Sequence, residues 1–351
     1  MLSQTLATLL QQHAALADFY LQTQRPLSFV AAQGRVVPEP ALLVSTRDLE
    51  SLLGGRYPNG NLHEALRLLG GVDDFRLNLG GQEFRGALRS TRSGGALSLT
   101  LRRIRPQIPA FEGTGLPLEL EALLRTKDGL ILFTGPTGSG KSTSMASCAQ
   151  RYAQTFPGKI VTFEDPIEYQ IQEGCAAVDQ HEIGTDVASF IKGLMGAMRE
   201  SPTMIIIGEI RDAETLQAAL QGAETGHLVL ASLHTNNFAA TVDRVCDLLS
   251  GPHVDALRKT FAGLLRAVVS QQLLPAREGE GRVLAHEVVV PNPAIINTIR
   301  KGELQILQGE IEKRLPLLHS LNDHLAELVR EGKVTAEAAR QASYKPEALR
   351  I

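Results

Sequence analysis

Tryptophan is absent from the 351 residues, and only 5% are aromatic, so a track of rings for stacking unpaired bases is missing. The charge balance points the same way. Thirty-five Lys and Arg against 38 Asp and Glu leave a net charge of −3, with no excess of cations for a phosphate backbone. No nucleic-acid partner is expected. Cys148, Cys175 and Cys246 lie far apart without a C-x-x-C pair, which excludes a tetracysteine zinc module and suits a reducing compartment. No apolar run reaches bilayer length, and the first residues have neither a basic start nor a signal-like apolar stretch. A cytoplasmic location follows, with any attachment to the inner membrane made through a partner.

What is present is concentrated at Gly135–Thr143, Gly-Pro-Thr-Gly-Ser-Gly-Lys-Ser-Thr, which fits the phosphate-binding pattern G-x-x-x-x-G-K-[ST]. The apolar run Leu130–Thr134 before it suits a buried strand, and the residues after Lys141 suit a helix. That order aims backbone N–H groups and a positive helix end at one phosphate chain. Gly135, Thr137, Gly138, Ser139, Gly140, Lys141, Ser142 and Thr143 are the candidate ATP-binding residues. Lys141 would reach the β- and γ-phosphates, and the Ser142 hydroxyl would ligate Mg²⁺.

The first hundred residues read as an α+β module without a catalytic constellation. A helix near Thr5–Leu16 precedes strands at Asp18–Thr23 and Leu27–Ala32, a turn at Gln33-Gly34 and a strand from Arg35. Helices are expected at Thr46–Leu53 and Asn61–Leu69. Three runs, Asp74–Asn78, Glu83–Arg89 and Ala96–Ile104, separated by Gly-rich turns, form an antiparallel meander. Domain boundaries are placed at 1–105, a Pro- and Gly-rich linker at 106–117, an α/β domain at 118–292, and a helical region at 293–351. Within 118–292, strands at Leu130–Thr134, Lys159–Phe163, Met204–Ile207, Leu228–Ser232 and Arg282–Val290 alternate with helices at Asp186–Arg199, Ala213–Glu224 and Phe238–Leu249. This is the pattern of a parallel sheet.

Ligands of such sheets bind beyond the carboxyl ends of the strands. There the sequence places Glu164, Asp165 and Glu168, then Gly208, Glu209 and Arg211, then His234. An acid at this place can orient the attacking water or hold Mg²⁺ through its shell, and a histidine can contact the γ-phosphate. Gly208 stands where many phosphate-loop proteins have a Mg²⁺-binding Asp, which leaves Glu209 for water activation. Arg211 is open to a role as a structural ion-pair partner. His227 lies just before its strand, where a structural and a functional role are equally open.

Together these motifs resemble the secretion-ATPase superfamily that includes the PilT motors of type IV pili. Gly135–Thr143 is similar to its Walker A, Thr162–Glu168 to its Asp box, Ile205–Asp212 to its atypical Walker B, and Ala223–His234 to its His box. The likeness continues through Ser270–Leu274, His286-Glu287 and Ala294–Arg300, and extends more weakly to Ala17–Thr23 and Gly34–Val36. The resemblance implies a RecA-like phosphate-loop domain, a smaller PAS-like amino-terminal domain and a helical carboxyl-terminal tail. It implies catalytic roles for Glu209, Glu168, His234 and His227, and an arginine of the first module that senses the γ-phosphate. Arg76, Arg102 and Arg103 are the candidates, and Arg102 best fits the family's L/F-R-x-I pattern. The resemblance further implies a homohexameric motor for pilus retraction, working on a PilC-like inner-membrane platform protein and indirectly on the pilus. Assembly ATPases commonly carry a tetracysteine module, while secretion and conjugation members of the DotB or TraJ kind lack it. The chain departs from the family at Ser201, Thr203 and Asp74. It also has Ile296 in place of the first Arg of the A-I-R-N-L-I-R segment.

Overall fold

The structure, a computed structural model, describes residues 2–12, 18–30, 36–57, 60–91, 95–104, 107–249, 254–278, 281–307, 309 and 318–351. The expected turn at Gln33-Gly34, the strand start at Arg35 and the end of the first helix near Leu16 lie outside the described residues. The chain divides into two compact units, Met1–Pro106 and Gln107–Ile351.

The first unit is built on six antiparallel strands: β1 (Asp18–Gln22), β2 (Pro26–Val30), β3 (Val36–Leu43), β4 (Val72–Leu79), β5 (Gln82–Thr91) and β6 (Ala96–Arg103). Their order across the sheet is β3-β2-β1-β6-β5-β4, so the expected meander forms one half. Alternation decides which face is covered. Phe19 and Leu21 of β1, Phe84 and Leu88 of β5 and Leu97, Leu99 and Leu101 of β6 are buried. Against them pack Leu2, Leu6, Leu9 and Leu10 of helix α1 (Leu2–Gln12), Leu49 and Leu53 of α2 (Thr46–Leu53), and Leu62 and Leu66 of α3 (Leu62–Leu68). Helix α2 starts at a capping box, in which the Ser45 hydroxyl accepts the Asp48 N–H and the Asp48 carboxylate accepts the Ser45 N–H. Gly86 stands opposite Phe75, and a Cβ there would lie 2.4 Å from the Phe75 ring. Only glycine lets that ring lie across the strand.

Among its described residues the second unit holds eight strands: β7 (Gly129–Thr134), β8 (Gly158–Glu164), β9 (Ala176–Glu182), β10 (Met204–Ile207), β11 (Leu228–Leu233), β12 (Leu265–Pro275), β13 (Arg282–Val289) and β14 (Leu318–His319). Their order is β14-β13-β12-β7-β11-β10-β8-β9. From β12 to β9 all pairings are parallel, whereas β12–β13 and β13–β14 are antiparallel, so the sheet is mixed. Its helices are α4 (Leu120–Leu124), α5 (Lys141–Thr155), α6 (Phe190–Ala197), α7 (Ala213–Glu224), α8 (Phe238–Leu248), α9 (Val254–Leu264), α10 (Pro293–Lys301), α11 (Leu321–Arg330) and α12 (Ala336–Ala342).

The central strands are covered on both sides, which is why they read as unbroken apolar runs. Leu130, Leu132, Ile205 and Ile207 enter one core with α7 and α8; Ile131, Phe133, Met204 and Ile206 enter the other with α5. Phe111 and Leu116 are buried in that second core, so residues 107–117 belong to this unit. Thr203, one of the departures, staples two strands: its hydroxyl donates to the Lys159 carbonyl at 3.0 Å and accepts the Lys159 N–H at 3.1 Å. Among the described residues no helix is long and apolar enough to cross a membrane.

Candidate functional site

Strand β7 lies between β11 and β12, and the chain leaving its carboxyl end turns through the glycine loop into α5. Gly135, Gly138 and Gly140 have φ values of +141°, +80° and +94°, the region that favours glycine. Gly135 has no room either, since a Cβ there would lie 2.3 Å from the Gln271 carbonyl oxygen. Gly140 opens the helix, whose first N–H groups have no partner within the helix and face the loop. Thr137 and Gly138 stand exposed on the crest of the loop, while Ser139 is buried beneath it.

Lys141 is buried and folds back onto the loop, donating to the Gly135 and Pro136 carbonyls at 2.8 and 3.1 Å. Burial pushes its ammonium below the usual lysine range, and the charges of Glu209 and Glu168 act against that shift. An anion arriving at the loop would gain a cation whose water has already been removed. Thr143 shares a 2.8 Å hydrogen bond with the Tyr169 hydroxyl, and Ser144 accepts from Gln271 at 2.7 Å.

The neighbouring strand ends bring acids to the same edge. After β10, Glu209 is paired with Arg211 and lies 3.1 Å from His234 Nε2 at the end of β11. Burial works against ionisation of Glu209, but the hydrogen bonds and charges of Arg211 and His234 prevail and hold its carboxyl below the usual range. Arg211 also approaches Asp165 at 3.9 Å, so it does act as an ion-pair partner. After β8, burial pushes Glu164 above the usual range while Thr162 and Gln180 donate to it at 2.7 and 3.0 Å. Glu168 is exposed, close enough to act electrostatically on both Lys141 and Glu164. Gly208 has a steric reason: a Cβ there would lie 3.3 Å from the Glu164 Cα and 3.4 Å from the Phe163 carbonyl.

Lys141, Glu168, Glu209 and His234 are thus assembled, and His227 is not. The β11–β7 register sets Leu228 beside Gly129 and Leu233 beside Thr134, so His227 stands at the end of the sheet opposite the glycine loop. Its ring closes the end of α7, with Nδ1 2.8 Å from the Gly222 carbonyl and 3.1 Å from the Thr225 hydroxyl. In the first unit, Arg102 forks onto Asp18 at 3.1 and 3.4 Å, and Arg103 donates to Gln82. Arg76, Arg85 and Arg102 are direct cross-strand partners in one row. Like charges in that arrangement oppose one another, and Asp18, opposite Arg102 on the other side, offsets part of that repulsion. Sequence reasoning singled out Ser270–Leu274 by resemblance but did not identify its strand, so the place of Gln271 beside the glycine loop was missed.

The loop from His234 into α8 is pinned from several sides. Thr235 and Thr241 share a 2.7 Å hydrogen bond, Asn237 caps α8 through Ala240, and the Phe238 N–H donates to Glu287 at 2.8 Å. Burial pushes the Glu287 carboxyl above its ordinary value of 4.5 despite that bond. A raised acid costs nothing while protonated in both states, and stability is lost as pH rises from the unfolded towards the folded value. Glu287→Gln keeps an acceptor for Phe238 and removes the buried charge. It is expected to raise the melting temperature at neutral pH, with the difference closing as pH falls below the ordinary carboxylate value. Thermal melts at both pH values check this, and equal melting at neutral pH contradicts it.

A glycine loop between a central parallel strand and its helix, faced by acids from neighbouring strand ends, defines a RecA-like phosphate-loop ATPase. The chain belongs to the type II/IV secretion system protein family, whose model matches residues 115–349. It is 40% identical over 281 residues to the uncharacterized protein YggR of Escherichia coli, covering 80% of this chain and 84% of that one. Identity to the type IV pilus retraction ATPase PilT of Pseudomonas aeruginosa is 36% over 278 residues, 79% of this chain and 77% of that one. The crystal structure of the pilus retraction motor PilT with bound ADP matches with a TM-score of 0.87 at 34% identity, covering 99% of this chain and 98% of that one.

Proposed function

We propose that this chain is a homohexameric ATPase that drives retraction of a type IV pilus. The observation that carries the reading is the likeness of almost the whole chain to a retraction motor with bound ADP, together with an assembled glycine loop, acid and histidine. Gly135 to Thr143 hold the triphosphate, Lys141 contacts its β- and γ-phosphates, Glu209 orients the attacking water, and Glu168 and His234 support it. Arg102, with its row of neighbours, senses the γ-phosphate.

Mg²⁺ fits this donor set. No cluster of three His, Cys, Asp or Glu able to hold a metal occurs among the described residues, and the hard hydroxyl of Ser142 stands at the helix start. This ion binds through one or two protein oxygens, substrate phosphates and water. When bound it neutralises charge on the phosphates. Residues 118–292 carry hydrolysis, and domain motion around the ring passes the work to a PilC-like protein of the inner membrane from the cytoplasmic side.

Deleting the gene is expected to abolish retraction of fluorescently labelled pili. Normal retraction in the deletion strain would remove this role. Ile296, where retraction motors have Arg, favours a second reading as a secretion or conjugation ATPase, which predicts a loss of export or transfer instead.

A further inference from the structure

The end of the chain returns to the loop that carries His234. Tyr344 donates its hydroxyl proton to the Asn236 carbonyl, two residues beyond His234, and accepts from Gln272 Nε2 at 2.9 Å. Both capacities of the hydroxyl are thereby used in defined directions. The segment is held on either side of the tyrosine by Asn322 of α11, which accepts from the Ser343 hydroxyl at 2.6 Å and donates to the Lys345 carbonyl at 3.0 Å. Gln272 also donates to the Ala342 carbonyl at 3.2 Å. Its strand neighbour Gln271 lies against Gly135 and bonds Ser144 of the loop helix.

Strand β12 therefore touches the glycine loop through one residue and the tyrosine through the next. Glu287 pins the far end of the His234 loop at Phe238, and Thr235 is tied forward, to Thr241. Tyr344 joins the middle of that loop to the strand beside the glycine loop.

We propose that Tyr344 is a positioning residue for hydrolysis, setting the loop at Asn236 so that His234 meets Glu209. This rests on the reading of Glu209 and His234 as groups of the hydrolytic site. The phenol itself touches no reacting atom, and its effect passes through the backbone of residues 234–236.

The test is a double-mutant cycle on the purified full-length chain, with kcat, KM for ATP and melting temperature read for Tyr344→Phe, His234→Ala and the pair. Tyr344→Phe is expected to lower kcat about 5-fold, the order of one neutral hydrogen bond, with KM and melting temperature unchanged. In the double variant kcat falls no further than in His234→Ala alone, the non-additivity of groups acting as one unit. An unchanged kcat in Tyr344→Phe, or losses that multiply, overturns the positioning role and leaves the site reading standing. Wild-type kcat in His234→Ala overturns the reading of His234 itself, and a Tyr344→Phe loss seen alongside it assigns the tyrosine's effect elsewhere.

Discussion

Glu209→Gln is expected to leave nucleotide binding intact and to lower kcat by at least about 100-fold, the order of losing one preorganised electrostatic group. The substitution keeps the volume and an acceptor oxygen but removes the negative charge that Arg211 and His234 hold in place. Those partners outweigh burial and hold the carboxyl below its usual range, which makes it a weaker proton acceptor but a steady hydrogen-bond acceptor for water. In phosphoryl transfer most of the catalysis is positioning and charge stabilisation, so the loss falls on turnover. Phosphate release at saturating ATP measures it, and wild-type turnover in the purified variant would sink the assignment.

Lys141→Ala is expected to act on binding. The ammonium sits on the Gly135 and Pro136 carbonyls at the floor of the loop, already stripped of water. Moving from those carbonyls to phosphate oxygens exchanges neutral acceptors for charged ones. Losing such charge-assisted bonds costs about 10- to 100-fold in affinity. Titration with a fluorescent ATP analogue reads this directly, and undiminished binding would contradict the phosphate-loop reading.

The site was legible where local chemistry determines structure. Met204–Ile207 and Ala213–Glu224 lie where their patterns put them, because four consecutive β-branched or long apolar residues and a capped amphipathic run each admit one solution. Helix α6 is shorter than the expected Asp186–Arg199: it starts after the Ser189 cap and ends at Ala197. Strand β12 was missed because it follows α9 without an intervening residue, so no turn marks the change of period. Strand β9 was missed because it is a partly exposed sheet edge, with only Ala176 of its seven residues buried. Without β12, the antiparallel pairing that β13 makes with it could not be read. His227 shows the same limit: it sits seven residues from His234, and only the strand register puts the two at opposite ends.

The close packing of Gly135 under the Gln271 carbonyl has a consequence for how the site would work. That end of the loop is moulded before its ligand arrives, so fixing it costs little ordering entropy at capture. By the same token it cannot be the moving part. What changes shape over a cycle of capture and release has to be sought at the softer rim, where exposed Glu168 and the solvent-facing Arg211 can exchange partners while the cradle stays still.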